Sequence, residues 1–155
     1  MRPCNERSYK SSDGTEIFYR QWPAVVEGDN RAIVLLHRGH EHSGRLQHLV
    51  DELNLSQFTM FAADARGHGR TPGRRGPAPG AATLVRDLDR FVRDVIIPQG
   101  TPMEKIAVIG QSIGSIVASA WVHDYAPPIR ALVLAAPAFK IKLYVPFARP
   151  ALRLL

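Results

Sequence analysis

Residues 110–114 read Gly-Gln-Ser-Ile-Gly, directly after the apolar run of residues 105–109 and directly before the helical pattern of residues 115–121. A strand, a G-x-S-x-G pentapeptide and a helix in that order lift a serine hydroxyl, that of Ser112, to the tip of a sharp turn where it can attack an electrophile. Gly110, Gln111 and Gly114 make up the rest of the turn. Such a bend brings the residues two positions either side of its tip into near contact, where only side chains close to hydrogen fit. The pentapeptide alone also suits an ordinary glycine-rich turn with a surface serine, so the elements around it decide between the two readings.

A chain of 155 residues, 45% hydrophobic and 22% charged, is long enough for one domain with a proper core and has the balance of a soluble globular protein. The single cysteine, Cys4, cannot close an intramolecular disulfide, and the first residues lack the apolar segment of a secretory signal. A cytoplasmic location is expected. No apolar stretch approaches the roughly 18 residues that span a bilayer. The formal charge of +6 raises the question of nucleic acid, but the arginines are scattered, without blocks or interleaved aromatics, and read as a solvated surface.

The hydrophobic pattern alternates between strand and helix. Residues 7–10 and 16–22 flank a turn and read as an antiparallel hairpin. Residues 31–37, 58–64, 106–109 and 129–135 are continuous apolar runs, as expected of parallel strands covered on both faces. Between them lie helical periods: Leu46, Leu49, Val50 and Leu53; Leu84, Leu88, Phe91, Val92 and Val95; Ile113, Ile116, Val117, Ala120 and Trp121. The predicted fold is α/β: an antiparallel hairpin followed by a doubly wound parallel sheet with flanking helices. Residues 71–80 form a glycine- and proline-rich loop, and residues 98–102 end the second helix.

In such a sheet chemistry collects at the carboxyl ends of the strands. The first parallel strand is followed by His37-Arg38-Gly39-His40-Glu41-His42-Ser43-Gly44-Arg45, the second by Asp64-Ala65-Arg66-Gly67-His68-Gly69-Arg70-Thr71, and the third by Ser112. These loops resemble those of the α/β-hydrolase family, within it the monoacylglycerol lipase and lysophospholipase group. Its members carry H-G-x-x-E-H-S-G-R, D-x-x-G-H-G-x-S/T and G-x-S-x-G in this order. The likeness runs from about Ser12 to Phe139. The first loop also resembles that of bacterial proteins in which a hydrolase domain precedes an S-adenosylmethionine-dependent methyltransferase, although no methyltransferase glycine loop occurs in these residues.

The resemblance implies acyl transfer from a small-molecule ester or lipid, with Ser112 as nucleophile, through a covalent acyl-enzyme and without metal or other cofactor. The oxyanion would be held by the backbone N–H groups of Ile113 and Gly39. Family members carry glycine where this chain has Arg38, which puts a side chain beside the expected oxyanion pocket. His37 reads as a buried, hydrogen-bonded histidine that shapes its loop. Glu41, His42, Ser43 and Arg45 read as residues that brace the loop and cap the first helix. His68, in Gly67-His68-Gly69, suits a tight turn packed under the site. A metal site built from His37, His40 and His42 is the weaker reading, since the family pattern already accounts for most of those residues.

A catalytic triad in this fold places its acid and then its histidine after the serine. After Ser112 the chain offers only His123 and Asp124. Eleven residues of helix advance about 16 Å, beyond the reach of a general base. Neither can serve. The expectation is therefore a partial hydrolase core over residues 1–139, the start of a cap or lid over residues 140–155, and a chain cut short before the remaining triad members. Two functions follow: the nucleophile-bearing part of a serine esterase or lipase, or a catalytically inactive fragment or interaction module. Residues 140–155 combine four cations with many apolar side chains, which also allows weak contact with a membrane surface.

Overall fold

The computed structural model describes residues 1–26, 28–74 and 80–139. The expected cap segment, with its membrane-contact reading, lies outside the described residues, as does part of the loop over residues 71–80. The hairpin consists of β1 (Asn5–Lys10) and β2 (Glu16–Trp22), paired from Asn5↔Gln21 to Lys10↔Glu16. Its turn is closed by Asp13, whose carboxylate accepts the Thr15 N–H at 3.0 Å, with Gly14 at φ 81°. The sheet continues through β3 (Arg31–Leu36), β4 (Phe58–Ala63), β5 (Ile106–Gln111) and β6 (Ala131–Ala135). Its order is β1-β2-β4-β3-β5-β6. The hairpin joins β4 antiparallel, and β4, β3, β5 and β6 run parallel.

Helix α1 (Gln47–Leu53) covers one face; α2 (Ala81–Arg90) and α3 (Ile113–Tyr125) cover the other. The period-2 alternation of a strand assigns its side chains to these faces. Ile33 and Leu35 of β3 pack with Leu46, Val50 and Met60 on the α1 side. Ala32 and Val34 pack with Val85, Leu88, Ala118 and Trp121 on the other. Both faces are apolar, so the strand reads as an unbroken hydrophobic run. Among the described residues no helix is long and apolar enough to cross a membrane.

The second helix departs from the regular period its sequence suggests. After α2 the backbone widens into a π-helical turn over Phe91–Ile96. Phe91, Val92, Val95 and Ile96 are all buried in this turn. Phe91 lies 5.3 Å from the Tyr9 ring and 5.2 Å from the Tyr19 ring, so the widened turn fastens the hairpin to the helical layer. The Tyr9 hydroxyl donates to the Asp87 carbonyl at 2.9 Å, and burial pushes its pKa up.

Arg66 ties together three elements distant in sequence. Its guanidinium donates to Asp87 of α2 at 2.7 and 2.9 Å, to Asp13 in the hairpin turn at 2.6 and 3.0 Å, and to Thr15 at 2.7 Å. Ser11 hydrogen-bonds both Arg66 and Asp87. Arg66 holds the Asp13 carboxyl well below the usual carboxylate range, and the two carboxylates push the guanidinium still further from deprotonation. Arg66 and Asp87 are only 9% and 11% exposed, so cutting one partner strands a nearly buried charge. Arg66→Ala is expected to lower the unfolding free energy in urea by about 3 kcal/mol, and the paired replacement Arg66→Met with Asp87→Leu by clearly less. Equal losses would show that the pair is not acting as a buried unit.

Candidate active site

Strand β5 runs straight into the turn, and helix α3 begins at Ile113, so Ser112 is the one residue between them. Its backbone adopts φ 54° and ψ −112°, which a residue with a Cβ occupies only when its surroundings enforce it. The surroundings here are steric. A Cβ on Gly110 would fall 2.6 Å from the Gly114 carbonyl oxygen, and a Cβ on Gly114 would fall 2.6 Å from the Leu36 carbonyl oxygen and 2.9 Å from that of His37. Helix α3 therefore rests on the end of β3 with no side chain between. The Ser112 N–H donates to Ala135 of β6 at 2.9 Å, and the Ser112 carbonyl accepts the Ser115 N–H at 3.1 Å.

The seating of Gly114 on Leu36 and His37 brings the first loop to the elbow. Gly39 comes within van der Waals range of Ile113: its missing Cβ would lie 4.0 Å from Ile113 Cγ2. Ile113, at the start of α3, is 42% exposed, and Gln111 is exposed beside it. Arg38 is engaged along its own loop, with its guanidinium 2.8 Å from Glu41 and 54% exposed. Arg38 in turn holds the Glu41 carboxyl below the usual carboxylate range, and Arg45 approaches the same carboxylate at 4.0 Å. A cleft of about 440 Å³ opens on this loop, lined by Arg38, Gly39, His40, Glu41, His42 and Arg45. Ser112 does not line it.

His37 is 5% exposed and spends both ring nitrogens on backbone. Its Nε2 accepts the Ala65 N–H at 3.0 Å, so Nδ1 carries the proton and donates to the Arg38 carbonyl at 2.7 Å. The ring thus joins the first loop to the second and is committed to the neutral form. Burial pulls its pKa down from the ordinary 6.5. His68 lies beside it, ring centroids 5.4 Å apart, in a turn closed by His68 N–H to Ala65 and Thr71 N–H to His68. Its Nδ1 donates to the Arg66 carbonyl at 3.0 Å. His42 caps the short 3-10 turn Ser43–Leu46 by accepting the Gly44 N–H at 3.2 Å. These nitrogens serve the backbone, and among the described residues no cluster of three metal-ligating side chains forms.

One brace carries no assigned role in the sequence reading. Asp64, fully buried, accepts the Ser43 N–H at 2.6 Å and the Arg70 N–H at 2.9 Å, so one carboxylate holds both loops. Gly69 lies against it with φ 52°, where a Cβ would fall 2.0 Å from Asp64 Oδ2. The Ser43 hydroxyl accepts from Arg20 of β2 at 3.0 Å. Only the fixed offset from Asp64 to Gly69 within the second loop signals this bond in sequence. At the far end of α3, the His123 ring meets Asp124 at 2.8 Å in an exposed pair. Among the described residues none hydrogen-bonds the Ser112 hydroxyl.

A strained serine between a parallel strand and a helix, in a mixed sheet with helices on both faces, defines an α/β-hydrolase core. Among the parallel strands β6 departs from the expected double cover, with Ala131, Val133 and Ala135 exposed. The sequence pattern of the family described as serine aminopeptidase, S33, matches residues 28–155, and the chain belongs to that family. It is 56% identical over 96% of its length to the uncharacterized protein YnbC of Escherichia coli, covering 26% of that protein. It is 31% identical to the monoacylglycerol lipase of Mycolicibacterium smegmatis, over 86% of this chain and 47% of the lipase. With human monoglyceride lipase the identity is 29%, over 82% and 41%. The chain thus spans less than half the length of these relatives.

Solved structures agree on the fold. A carboxyl esterase from Bacillus coagulans superposes with a TM-score of 0.69 at 23% identity, over 99% of this chain and 49% of the esterase. The α/β-hydrolase GrgF from Penicillium gives 0.75 at 18% identity, over 98% and 52%.

The state of His37 sets a pH dependence. The unfolded chain takes up a proton at this histidine near the ordinary 6.5, whereas the folded chain resists until lower pH. The stability it contributes is complete above that value and is lost as pH falls below it. Urea midpoints compared at pH 7.5 and pH 5.5 are expected to differ more for the natural chain than for His37→Asn. An equal or larger drop in the variant would show that His37 is not held neutral.

Proposed function

We propose that this chain carries the nucleophile and oxyanion hole of a serine hydrolase acting on small carboxylic esters of the monoacylglycerol or lysophospholipid type. Ser112 Oγ attacks the ester carbonyl, and the N–H groups of Ile113 and Gly39 receive the negative charge that develops on its oxygen. The proton leaves Ser112 to a base, the alcohol departs with a proton, and water releases the acid from the acyl-enzyme. Residues 1–139 form the part of the hydrolase core that performs the attack. The observation that carries this reading is the approach of Gly39 to Ile113 beside a serine held at φ 54°. The lipase relatives support the ester substrate.

The alternative is a catalytically silent module, and one observation favours it. Ser112 Oγ meets no base among the described residues, and His123 is engaged at the other end of α3. Added imidazole separates the two. For the 155-residue chain, turnover of p-nitrophenyl butyrate is expected to be poor, and imidazole is expected to raise it above the rate seen with Ser112→Ala under the same conditions. A fluorophosphonate is expected to label Ser112 and to fail on Ser112→Ala. Turnover and labelling indistinguishable from those of Ser112→Ala would leave the silent module standing.

A further inference from the structure

We propose that Ser115 is a positioning residue that holds the elbow in its reactive shape, an inference resting on the reading of Ser112 as nucleophile. Ser115 lies one residue past the pentapeptide and is fully buried. Its Oγ donates to the Gly110 carbonyl at 2.7 Å, with the Ala135 carbonyl a second, longer acceptor at 3.2 Å. Those carbonyls stand at the ends of the two strands that bracket the apex. Gly110 belongs to the end of β5, and Ala135, the last residue of β6, also accepts the N–H of Ser112 itself. One hydroxyl therefore pins the first turn of α3 to both strand ends.

The pinning matters because the backbone of Ser112 is strained. A serine at positive φ relaxes toward helical angles unless its neighbours hold it, and relaxation would add Ser112 to the start of α3 and swing its side chain. The glycines let α3 come this close to β3 and β5. They do not by themselves stop the first turn from rotating. The Ser115 bond to Gly110 does, because it crosses the apex from helix to strand. The contact is close: a Cβ on Gly110 would lie 2.7 Å from Ser115 Cα. Ser119 provides the contrast, since its hydroxyl donates to the Ser115 carbonyl at 2.8 Å, a bond within one helix that bears on no strand.

The test uses the full chain with Cys4→Ser and Ser112→Cys, whose single thiol reports its surroundings without needing a base. Iodoacetamide alkylation is followed against pH, and circular dichroism checks the fold of each variant. A thiol held at a helix start titrates below the ordinary value of about 8.5. Adding Ser115→Ala is expected to raise the midpoint and slow alkylation at pH 7 about tenfold. Ser115→Thr, which keeps the hydroxyl, and Ser119→Ala are expected to leave the profile in place. An unchanged profile in Ser115→Ala with a depressed midpoint overturns the role of Ser115 alone. A midpoint near 8.5 before Ser115 is altered overturns it together with the nucleophile reading. Should Ser115→Ala not fold, Ser115→Cys in the natural chain supplies a nearly isosteric, weak donor. Amide exchange at Ser112, relative to that of β3, is then expected to quicken about tenfold, and unchanged exchange overturns the proposal.

Discussion

Two absent side chains govern this molecule. Because Gly110 and Gly114 carry no Cβ, the start of α3 can sit on the carbonyls of Leu36 and His37 while β5 turns into it without a linker. That contact leaves Ser112 no room for ordinary dihedrals and places this half-buried residue at the carboxyl end of the sheet. A residue in such a region costs of order 1–3 kcal/mol, which must be offset by the packing around it. Here the offset comes from the seating of Gly114, the ladder bond from Ser112 to Ala135, and the buried hydroxyl of Ser115. The same seating brings Gly39 within van der Waals range of Ile113, so one packing contact brings the first loop to the elbow.

The loops around the elbow are held together by buried polar groups bonded to backbone. His37 and Asp64 each span from the first loop to the second, one as a neutral ring between a donor and an acceptor, the other as a carboxylate between two backbone donors. Arg66 then anchors the second loop to the hairpin and to α2. A pair of loops on a sheet edge would be mobile on its own. Buried polar groups with every bond made give them one arrangement, at the cost that each brace fails badly if a single partner is lost.

How much of this could be read from the amino-acid order depends on the range of each interaction. The elbow is local, and its glycines, flanking strand and following helix stand together in residues 105–121, so its shape and tip residue were legible. The α/β class was legible too, because strands covered on both faces leave continuous apolar runs. The order of the strands was not. Nothing local tells β2 to pair with β4, since that pairing is decided by which faces the helices cover. The widening at Phe91–Ile96 was missed because burying neighbouring pairs such as Phe91 with Val92 fits an ordinary helical period nearly as well. Asp64 and Arg66 stood inside a recognised loop pattern, yet Ser43 lies 21 residues from Asp64, and Asp87 and Asp13 lie 21 and 53 residues from Arg66; charge alone does not name such partners.

The central claim is geometric: the oxygen of a substrate attacked by Ser112 falls between the N–H groups of Gly39 and Ile113. A crystal structure of the chain phosphonylated at Ser112 tests it directly. The account predicts the phosphoryl oxygen about 3 Å from both nitrogens, with Ser112 still at positive φ. A phosphoryl oxygen facing solvent, or an adduct reached only after Ser112 has joined the helix, would contradict it.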